Sequence, residues 1–499
     1  MKSPWNKLLP AMAGLATLCL LSTGPAVGQS FVNLHNFTPF TTVDGASPNG
    51  GMARGGNALY GVTAAGGSAY NGTVFKINPD GSGYAVLYSF STTVMDEDYT
   101  DYNAPMLYTN TDGYRPNGGL VLADGRLYGT TPYGGLDGYG TIFSLDTNGG
   151  GFTLLHTFTT PANYPTNSDG LSPEAGLILA NGTLYGTTSQ GGDAGNGTVF
   201  SLNTNGTGYT VLKSFAGADI DFNTFTYTNA EGAQPQTHLT LAGDVLYGTT
   251  GTGGQAGGGT AFSLRTNGTG FASLHDFSRD VDGQQLGALT LASNRLFGTC
   301  AQGGTYGAGT LFAMDTNGGS FGTLCSFGYG GGGSAPDADL VVSSNILYGA
   351  TQSDGANRAG TLFAINTDGT GFNILYTFSQ AAFIANSNSD GTYPNGLLAA
   401  SNVLYGTAGG GGSGGRGTVF SLNLGTLTFT PPSPVISLGA GQVVITWPAN
   451  AGVETLQSAT NLNPPVIWAD VPTVPVVING QNVVTNVMNG VLTFYRLFP

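Results

Sequence analysis

Short apolar runs separated by glycine-rich turns recur along most of the chain, and three of these runs have a recognisable signature. Leu-aromatic-Gly occurs seven times, beginning at Leu59, Leu127, Leu184, Leu246, Leu296, Leu347 and Leu404. A Gly-Thr-x-Phe element follows each copy, beginning at Gly72, Gly140, Gly197, Gly259, Gly309, Gly360 and Gly417. A third element, aromatic-x-x-Leu-x-x-Phe, follows six of these, and its seventh copy stands alone at residues 31–37. This self-similarity predicts seven copies of one structural unit.

Each unit predicts four short β-strands. In the second unit, β-branched and aromatic residues dominate four segments, at residues 120–123, 126–130, 141–145 and 152–158. Asp124-Gly125 separates the first two segments and Asn148-Gly149 the last two. Such pairs provide the positive φ values that tight hairpins need. No helical period competes over these segments, so the chain is predicted to be all-β.

The isolated copy at residues 31–37 favours a closed ring over an open array. A β-solenoid gains nothing from beginning with the last quarter of a unit. In a ring, the same segment pairs beside the strand at residues 417–422 and covers an edge that would otherwise stay unpaired. We therefore predict a seven-bladed β-propeller whose N-terminal strand closes the last blade, with a β-solenoid as the alternative.

The repeated elements resemble the GloVer tandem repeat of secreted bacterial "choice-of-anchor" proteins. The resemblance rests on Leu-Tyr-Gly-Thr-Thr at residues 127–131, Gly-Thr-Ile-Phe at 140–143 and their copies, and it extends over about residues 31–425. It implies a propeller-like extracellular protein and brings no established activity or catalytic residues. Proteins of this family often end in a sorting anchor, which this sequence does not show.

Residues 1–28 predict a secretory signal peptide. Lys2 and Lys7 precede an apolar run at residues 8–21, and residues 26–28 match a cleavage site. The run is too short to span a bilayer stably, although an uncleaved membrane anchor is the alternative. We expect a secreted protein, extracellular or at the cell surface, with no membrane insertion after cleavage.

The chain after the signal peptide divides into two predicted modules. Residues 29–429 form the predicted propeller, and the proline-rich residues 430–434 form a stiff linker. Short alternating apolar runs fill residues 435–499. This last part resembles a fibronectin type III-like module, which implies a small C-terminal β-sandwich.

The charge balance excludes some partners. The chain has 28 acidic and 13 basic residues, and its formal net charge is −15 at pH 7. Nucleic acids and anionic membranes bind basic patches, so we expect neither as a partner. We expect a monomer whose partner is a glycan or a protein at the cell surface.

One face of such a propeller carries two kinds of connection: those between blades, and those between the second and third strands of a blade. We call it the loop face. Most connections between blades contain Asp-Gly-x-x-Pro or a close variant, and their acidic residues are Asp44, Asp112, Asp169, Glu231, Asp282 and Asp390. Gly332 stands at this position in the remaining copy. Ligands favour loops on a rigid scaffold, so these acids are candidate ligand-binding residues. We expect an Asx-turn before the proline, with no cofactor; the alternative is that their ring binds Ca²⁺.

Two of these connections are long insertions, at residues 91–115 and 216–234. Aromatic side chains combine a large apolar area with a polar tip and suit binding surfaces. We therefore nominate five of them for contact with a glycan or protein: Tyr99, Tyr102, Tyr114, Phe222 and Tyr227. The alternative is that both insertions are mobile polar loops.

No catalytic constellation emerges from the sequence. Three histidines hold the same register in the fourth strand of different units, where other units have different residues: His35, His156 and His275, against Tyr88, Lys213, Cys325 and Tyr376. If the fourth strand is outermost, these positions lie far apart and cannot form one metal site, and no Ser/His/Asp constellation can be assembled, so we nominate no catalytic or metal-binding residue. Two functions stay open beside a purely structural role: a non-catalytic binding or surface-scaffold protein, and an extracellular carbohydrate-active hydrolase or lyase using carboxylates of the loop face.

Two cysteines remain beyond the signal peptide. Cys300 and Cys325 fall in the second and fourth predicted strands of one unit. One strand separates them, so their sulfur atoms are expected about 10 Å apart. We therefore predict two free, buried thiols.

Overall fold

The structure is a computed structural model that describes most of the repeat region and parts of the C-terminal region. The described residues are 29–38, 44–95, 107–161, 163–217, 219–221, 226–328, 332–382, 386–425, 435–439, 442–448, 455–459, 469–471, 476–478, 481–487 and 494–498. The predicted signal peptide and linker lie outside them. All regular secondary structure in the described residues is β-strand, and they contain no helix with the length and hydropathy to cross a membrane.

Seven small antiparallel sheets are arranged around one axis as the blades of a β-propeller. Blade 1 contains the strands Gly45–Gly55, Ala58–Gly66, Thr73–Ile77 and Ala85–Ser89, and blade 2 contains Val121–Ala123, Arg126–Thr131, Thr141–Asp146 and Thr153–Thr157. Blade 3 contains Ile178–Ala180, Thr183–Thr188, Thr198–Asn203 and Thr210–Ser214, and blade 4 contains Thr240–Ala242, Val245–Thr249, Gly257–Arg265 and Ala272–Ser278. Blades 5 and 6 contain Gln284–Leu286, Thr290–Ala292, Arg295–Gln302, Thr310–Asp315 and Gly322–Ser326; Val341–Ser343, Ile346–Thr351, Thr361–Asn366 and Asn373–Thr377. We number the strands of a blade first to fourth from the axis outward; the first strand of blade 5 is split in two.

Blade 7 is built from both ends of the repeat region. Its first three strands are Thr392–Ala400, Val403–Gly410 and Thr418–Asn423, and its fourth is Ser30–Asn36. The N-terminal strand runs antiparallel to the third strand, with Phe31 opposite Leu422 and His35 opposite Val419. The predicted propeller and its closure by the N-terminal strand are therefore confirmed, and the solenoid alternative is wrong.

The hydrophobic core lies between adjacent blades rather than within any one of them. Phe143 of the third strand in blade 2 is fully buried, and its ring lies 5.3 Å from that of Phe90, which follows the fourth strand of blade 1. Burying one such ring stabilises the fold by on the order of 2–3 kcal/mol. Phe143 is also paired with Gly129, where a Cβ would lie only 2.7 Å from the ring. This packing explains why Leu-aromatic-Gly and Gly-Thr-x-Phe recur together.

The Gly-Thr glycines and the loop prolines form the seams between blades. Gly140 of blade 2 has φ +106°, and a Cβ there would lie 2.7 Å from Cδ of Pro173, which leads into blade 3. Gly197 has the same relation to Pro235, and Gly259 meets Leu286 where the proline is replaced. The Gly-Thr glycine of one blade thus contacts the loop proline, or the leucine replacing it, that leads into the next blade, once at every seam.

Smaller strands lie outside the blades. Each insertion contains a short hairpin, Val94–Met95 with Tyr108–Thr109 and Asp219–Asp221 with Thr226–Thr228. The C-terminal region contains two antiparallel sheets: Val435–Gly439, Gln442–Pro448, Gln481–Val487 and Val476–Ile478 in one, and Ala469–Asp470, Thr455–Ala459 and Phe494–Phe498 in the other. Two small sheets agree with a sandwich, while the fibronectin type III-like relationship and the domain boundaries stay predictions.

The two cysteines differ from each other. Cys300 is a free thiol with no exposed surface, and burial raises its pKa to about 12. Cys325 is also buried but is disulfide-bonded to a partner that lies outside the described residues, so the prediction of a second free thiol is wrong. The strand separation excluded only a bond between these two residues, and that part of the reasoning is confirmed because Cys300 is free.

Candidate functional site

The predicted acids lie at the seams, each held by groups of its own seam. Asp169, only 8 % exposed, shows the pattern. His156 Nε2 of the preceding blade lies 3.2 Å from Asp169 Oδ2. The hydroxyl and backbone N–H of Thr159 donate to the same carboxylate over 2.7 and 3.1 Å, and Asn167 Nδ2 donates over 2.8 Å. We call the acid and its fourth-strand donor a seam clasp.

The clasp recurs with different donors at six seams. Besides His156–Asp169, the pairs are His35–Asp44 at 3.2 Å, Tyr88–Asp112 at 2.7 Å, Lys213–Glu231 at 2.7 Å, His275–Asp282 at 3.4 Å and Tyr376–Asp390 at 2.8 Å. The donors are the residues that share one register in the sequence. That register was visible in the sequence, but the partner of each donor was not.

Each clasp donor also contacts an aromatic ring of the next blade. His156 stacks on Tyr209 at 3.9 Å between ring centroids, and His275 stacks on Phe321 at 3.6 Å. Lys213 places its ammonium group 4.6 Å from the ring centroid of Phe271. Histidine, tyrosine and lysine are therefore interchangeable here because each combines a donor with a group that stacks on an aromatic face.

At the seam between blades 5 and 6, both members of the clasp are replaced together. Cys325 stands in the donor register, and Gly332 stands in place of the acid. An acid without a strong donor would leave a half-buried charge uncompensated, which is costly. The paired replacement supports a structural role for the clasp.

Two of the clasps, those of Asp44 and Asp169, favour the ionised carboxylate. Burial acts to raise the pKa of Asp44 and Asp169, but hydrogen bonds from His35 and Tyr84 to Asp44, and from His156 and Thr159 to Asp169, outweigh it and lower both pKa values. Since each acid lies at a different seam, the fold does not gather them into one cluster. The described residues contain no group of three or more His, Cys, Asp or Glu side chains that could hold a metal ion.

Of the predicted aromatic residues, the side chain of Tyr114 alone falls in the described part. It is half-buried, its ring lies 5.4 Å from that of Tyr133 and 6.2 Å from that of Tyr108, and burial raises its pKa. Tyr227 belongs to the strand Thr226–Thr228, whose backbone is described. Three others lie outside the described residues: Tyr99, Tyr102 and Phe222.

A polar channel, which was not predicted from the sequence, runs along the propeller axis. Its lining includes the residue that follows the loop proline, or the leucine replacing it, in every blade: Asn49, Asn117, Glu174, Gln236, Gly287, Asp337 and Asn395. The inner part of the channel has a volume of about 200 Å³, and the mouth on the loop face about 420 Å³. A polar residue directly after each proline was the available signal, since six of the seven copies have one.

Amides and glycines shape one side of the channel. Asn49 of blade 1 donates to Asn117 of blade 2, and Asn395 of blade 7 donates to the carbonyl of Pro48 over 3.3 Å. The backbones approach closely here, because a Cβ on Gly396 would lie 1.9 Å from the carbonyl oxygen of Gly50. Side-chain amides of three blades therefore lie together beside the open channel.

The other side of the channel contains the ionisable groups. Burial raises the pKa of Glu174 despite a 3.2 Å hydrogen bond from Ser189. Burial and the neighbouring charge of Asp339 raise the pKa of Asp337, which accepts a 2.9 Å hydrogen bond from Gln352. His238 lies 3.4 Å from Asp339, so this histidine has a partner that its sequence position did not suggest.

The mouth of the channel has an aromatic rim. Tyr133 and Tyr393 line it and are 38 % and 51 % exposed. The guanidinium of Arg115 lies 5.9 Å from the ring centroid of Tyr133. Tyr114 contacts this aromatic rim through the ring of Tyr133.

Residues 95–224 and 219–420 match the family model of the Gloeobacter/Verrucomicrobia repeat. The chain belongs to this family. The match lies within the range over which the sequence resembles the GloVer repeat, and it takes in most of the seven blades. No curated protein matches the chain.

Solved structures resemble this Gloeobacter/Verrucomicrobia repeat protein only distantly. An oligogalacturonate lyase in complex with manganese is 10 % identical, with a TM-score of 0.45, over 81 % of this chain and 96 % of that one. A putative 6-phosphogluconolactonase from Bacteroides uniformis is 13 % identical, with a TM-score of 0.40, over 65 % of this chain and 83 % of that one. Neither likeness carries an argument about what this repeat protein binds.

Proposed function

We propose that this protein is a secreted, non-catalytic binding protein whose loop face meets a glycan at the mouth of the axial channel. The observation that carries the proposal is the combination of side-chain amides from several blades with exposed tyrosines around one concave opening. The proposal needs no cofactor. The expected secretion rests on residues 1–28.

The chemistry of the mouth suits hydroxyl-rich ligands. A side-chain amide offers two donors and one acceptor oxygen. The oxygens of Asn117 and Asn395 accept from Asn49 and Thr407, but within the described part of the chain Asn117 keeps both N–H donors for ligand hydroxyl groups, and Asn395 keeps one besides its bond to Pro48. Tyr133 and Tyr393 add flat apolar area for the C–H faces of sugar rings, at low cost in side-chain entropy. Concave sites with a few convergent polar groups are the usual places for small ligands.

The binding proposal is tested with a panel of soluble neutral polysaccharides, β-glucan, xylan, mannan and dextran. Binding to one of them is expected to fall at least about tenfold in Tyr133→Ala and in Asn117→Ala. Tyr306→Ala is the matched control, because Tyr306 is 39 % exposed but does not line the channel. Full binding by both channel variants contradicts the proposal, and selective binding of a protein instead would assign the face to a protein partner.

A carbohydrate-active enzyme is the second candidate, favoured by one specific observation. Glu174 and Asp337 line the same channel, and burial raises the pKa of both. A carboxyl group whose pKa is raised keeps its proton to higher pH, which favours a role as general acid. Release of shorter sugars from a polysaccharide of the panel, abolished in Glu174→Gln or Asp337→Asn while binding persists, would favour the enzyme over the binding protein.

A further inference from the structure

A second cavity, larger than the channel mouth, lies off the axis on the loop face. It is a groove of about 890 Å³ between the loops of blades 4, 5 and 6, and its polar lining includes Gln255, Ser278, Arg279, Gln284, Gln302 and Ser334. It has no lining residue in common with the mouth or with the inner part of the channel. The groove is therefore a separate place for a ligand, of a size typical of small-molecule sites.

The connections on both sides of blade 5 are short in the sequence. Only residues 278–281 separate Phe277 from Asp282, and only residues 328–331 separate Phe327 from Gly332. The connection from blade 1 to blade 2, in contrast, contains the insertion at residues 91–115. The connection that leads into blade 5 contributes Ser278, Arg279 and Asp280 to the lining, and the longer insertion before blade 4 contributes Thr228.

The groove contains a guanidinium group that the protein does not neutralise. Arg279 is exposed, and within the described part of the chain its side chain has no ion pair or hydrogen bond, although Asp280 lies beside it in sequence and in the lining. Four other basic side chains of the propeller are paired with acids: Arg126, Lys213, Arg265 and Arg295. Among the described residues Arg54, Lys76 and Arg358 also have no acid partner, but they do not line this groove, whereas Arg279 does. In a chain with 13 basic and 28 acidic residues, an unpaired arginine in a groove indicates an anionic group on the ligand.

The surroundings of Arg279 are ordered by backbone and amide contacts. The turn at Gly303, with φ +81°, lies against the carbonyl of Arg279, where a Cβ would come within 2.3 Å. Gln284 Nε2 donates to Gln302 Oε1 over 3.0 Å, so these amides face the groove as a pair. A charged fork beside neutral amides and hydroxyls matches a carboxylate within a chain of hydroxyl groups.

We propose that the groove is a second binding site, for an acidic saccharide of the uronate class. Arg279 binds the carboxylate through two parallel N–H···O hydrogen bonds, while Gln284 and Gln302 bind ring hydroxyls. The site differs from the channel mouth in taking a charged sugar. The two proposals stand independently because no side chain serves both sites.

The test compares two tetrasaccharides that differ only at C6 of each ring, where one has a neutral primary alcohol and the other a carboxylate. These are cellotetraose and its uronic acid counterpart, in which each primary alcohol is a carboxylate. Isothermal titration calorimetry on the secreted protein is expected to show tighter binding of the acidic tetramer. Arg279→Gln should weaken that binding at least about tenfold and leave any binding of cellotetraose unchanged. Added salt should weaken binding of the acidic tetramer further.

Two other arginines on the loop face provide controls. Arg358 is exposed on the neighbouring blade 6 and does not line the groove, so Arg358→Gln should bind the acidic tetramer like the unaltered protein. Arg115 lines the channel mouth, so Arg115→Gln should also leave it unchanged. The proposal is overturned if the acidic tetramer does not bind, if Arg279→Gln binds it fully, or if Arg115→Gln loses it instead. Unchanged thermal unfolding of Arg279→Gln separates lost binding from lost folding.

Discussion

The outer edge of the propeller and its axis each have a polar residue at one repeated position in six of the seven repeats, yet these residues are bonded differently in the two regions. At the outer edge, the acid of each seam clasp has donors within its own seam, as Asp169 has in His156 and Thr159. At the axis, the side chains after the prolines project into one shared space and differ from blade to blade, from Asn117 to Glu174 to Asp337.

This difference separates a structural repeat from a candidate site. A polar residue that recurs with its own partner in nearly every blade contributes to the seams, and its hydrogen bonds are already used. A polar position that varies between blades and faces open space has hydrogen-bonding capacity left for a ligand. Repetition of a residue along a propeller is therefore evidence for packing before it is evidence for binding.

The largest effect on stability is expected from breaking one seam clasp at the outer edge of the propeller. Asp169→Ala should lower the free energy of unfolding by about 2–4 kcal/mol, because it leaves His156, Thr159 and Asn167 without their acceptor. The folded-state pKa of Asp169 is lowered, so the clasp contributes above the unfolded-state pKa of about 3.8 and is lost as pH falls below it. Denaturant unfolding at pH 7 and pH 3 measures both effects.

The exposed Asp193 of the same blade provides the control for this clasp variant. Asp193→Ala should change the free energy of unfolding by less than about 0.5 kcal/mol. Equal effects of the two substitutions, or a pH-independent difference between Asp169→Ala and the unaltered protein, would contradict the structural role of the clasp.

An intermediate effect is expected from adding one methyl group at the axis. Gly396→Ala should destabilise the fold by about 1–3 kcal/mol, because the new Cβ meets the backbone of Gly50 and blades 7 and 1 must move apart. Gly51→Ala is the control, since no atom lies within 4 Å of a Cβ there. Thermal unfolding compares the two, and equal midpoints would show that the inner strands are loosely packed.

The smallest effect, of opposite sign to the clasp variant, is expected from an acid of the channel. Burial raises the folded-state pKa of Glu174 above 4.5, so its ionisation opposes folding as pH rises through that pKa. Glu174→Gln should therefore raise the free energy of unfolding at pH 7 by roughly 1 kcal/mol or less. This gain in the free energy of unfolding should vanish at pH 4 and below, which denaturant unfolding across the range measures. A lower free energy of unfolding in Glu174→Gln at pH 7 would instead show that Glu174 is stabilised by its partners, as Asp169 is.

Much of the fold was predictable from the sequence because strand and turn preferences repeat in register. The pairing of residues 31–37 with the last blade followed from a count of elements, and it is confirmed. The fate of Cys325 did not follow, because the expectation considered Cys300 alone as its partner. The candidate site was predicted in part: the loop face and Tyr114 lie next to the channel mouth, but the channel residues were not singled out.

The order of strands, their turns and the number of blades were determined by the sequence itself, since each depends on contacts among residues close along the chain or on a motif repeated seven times. Tertiary structure alone decided three features: the pairing of clasp donors with acids, the convergence of Asn49, Glu174 and Asp337 on one axis, and the groove beside Arg279. Closing the ring sets the distances among side chains from different blades, and these distances determine whether a polar group finds a partner or faces open space.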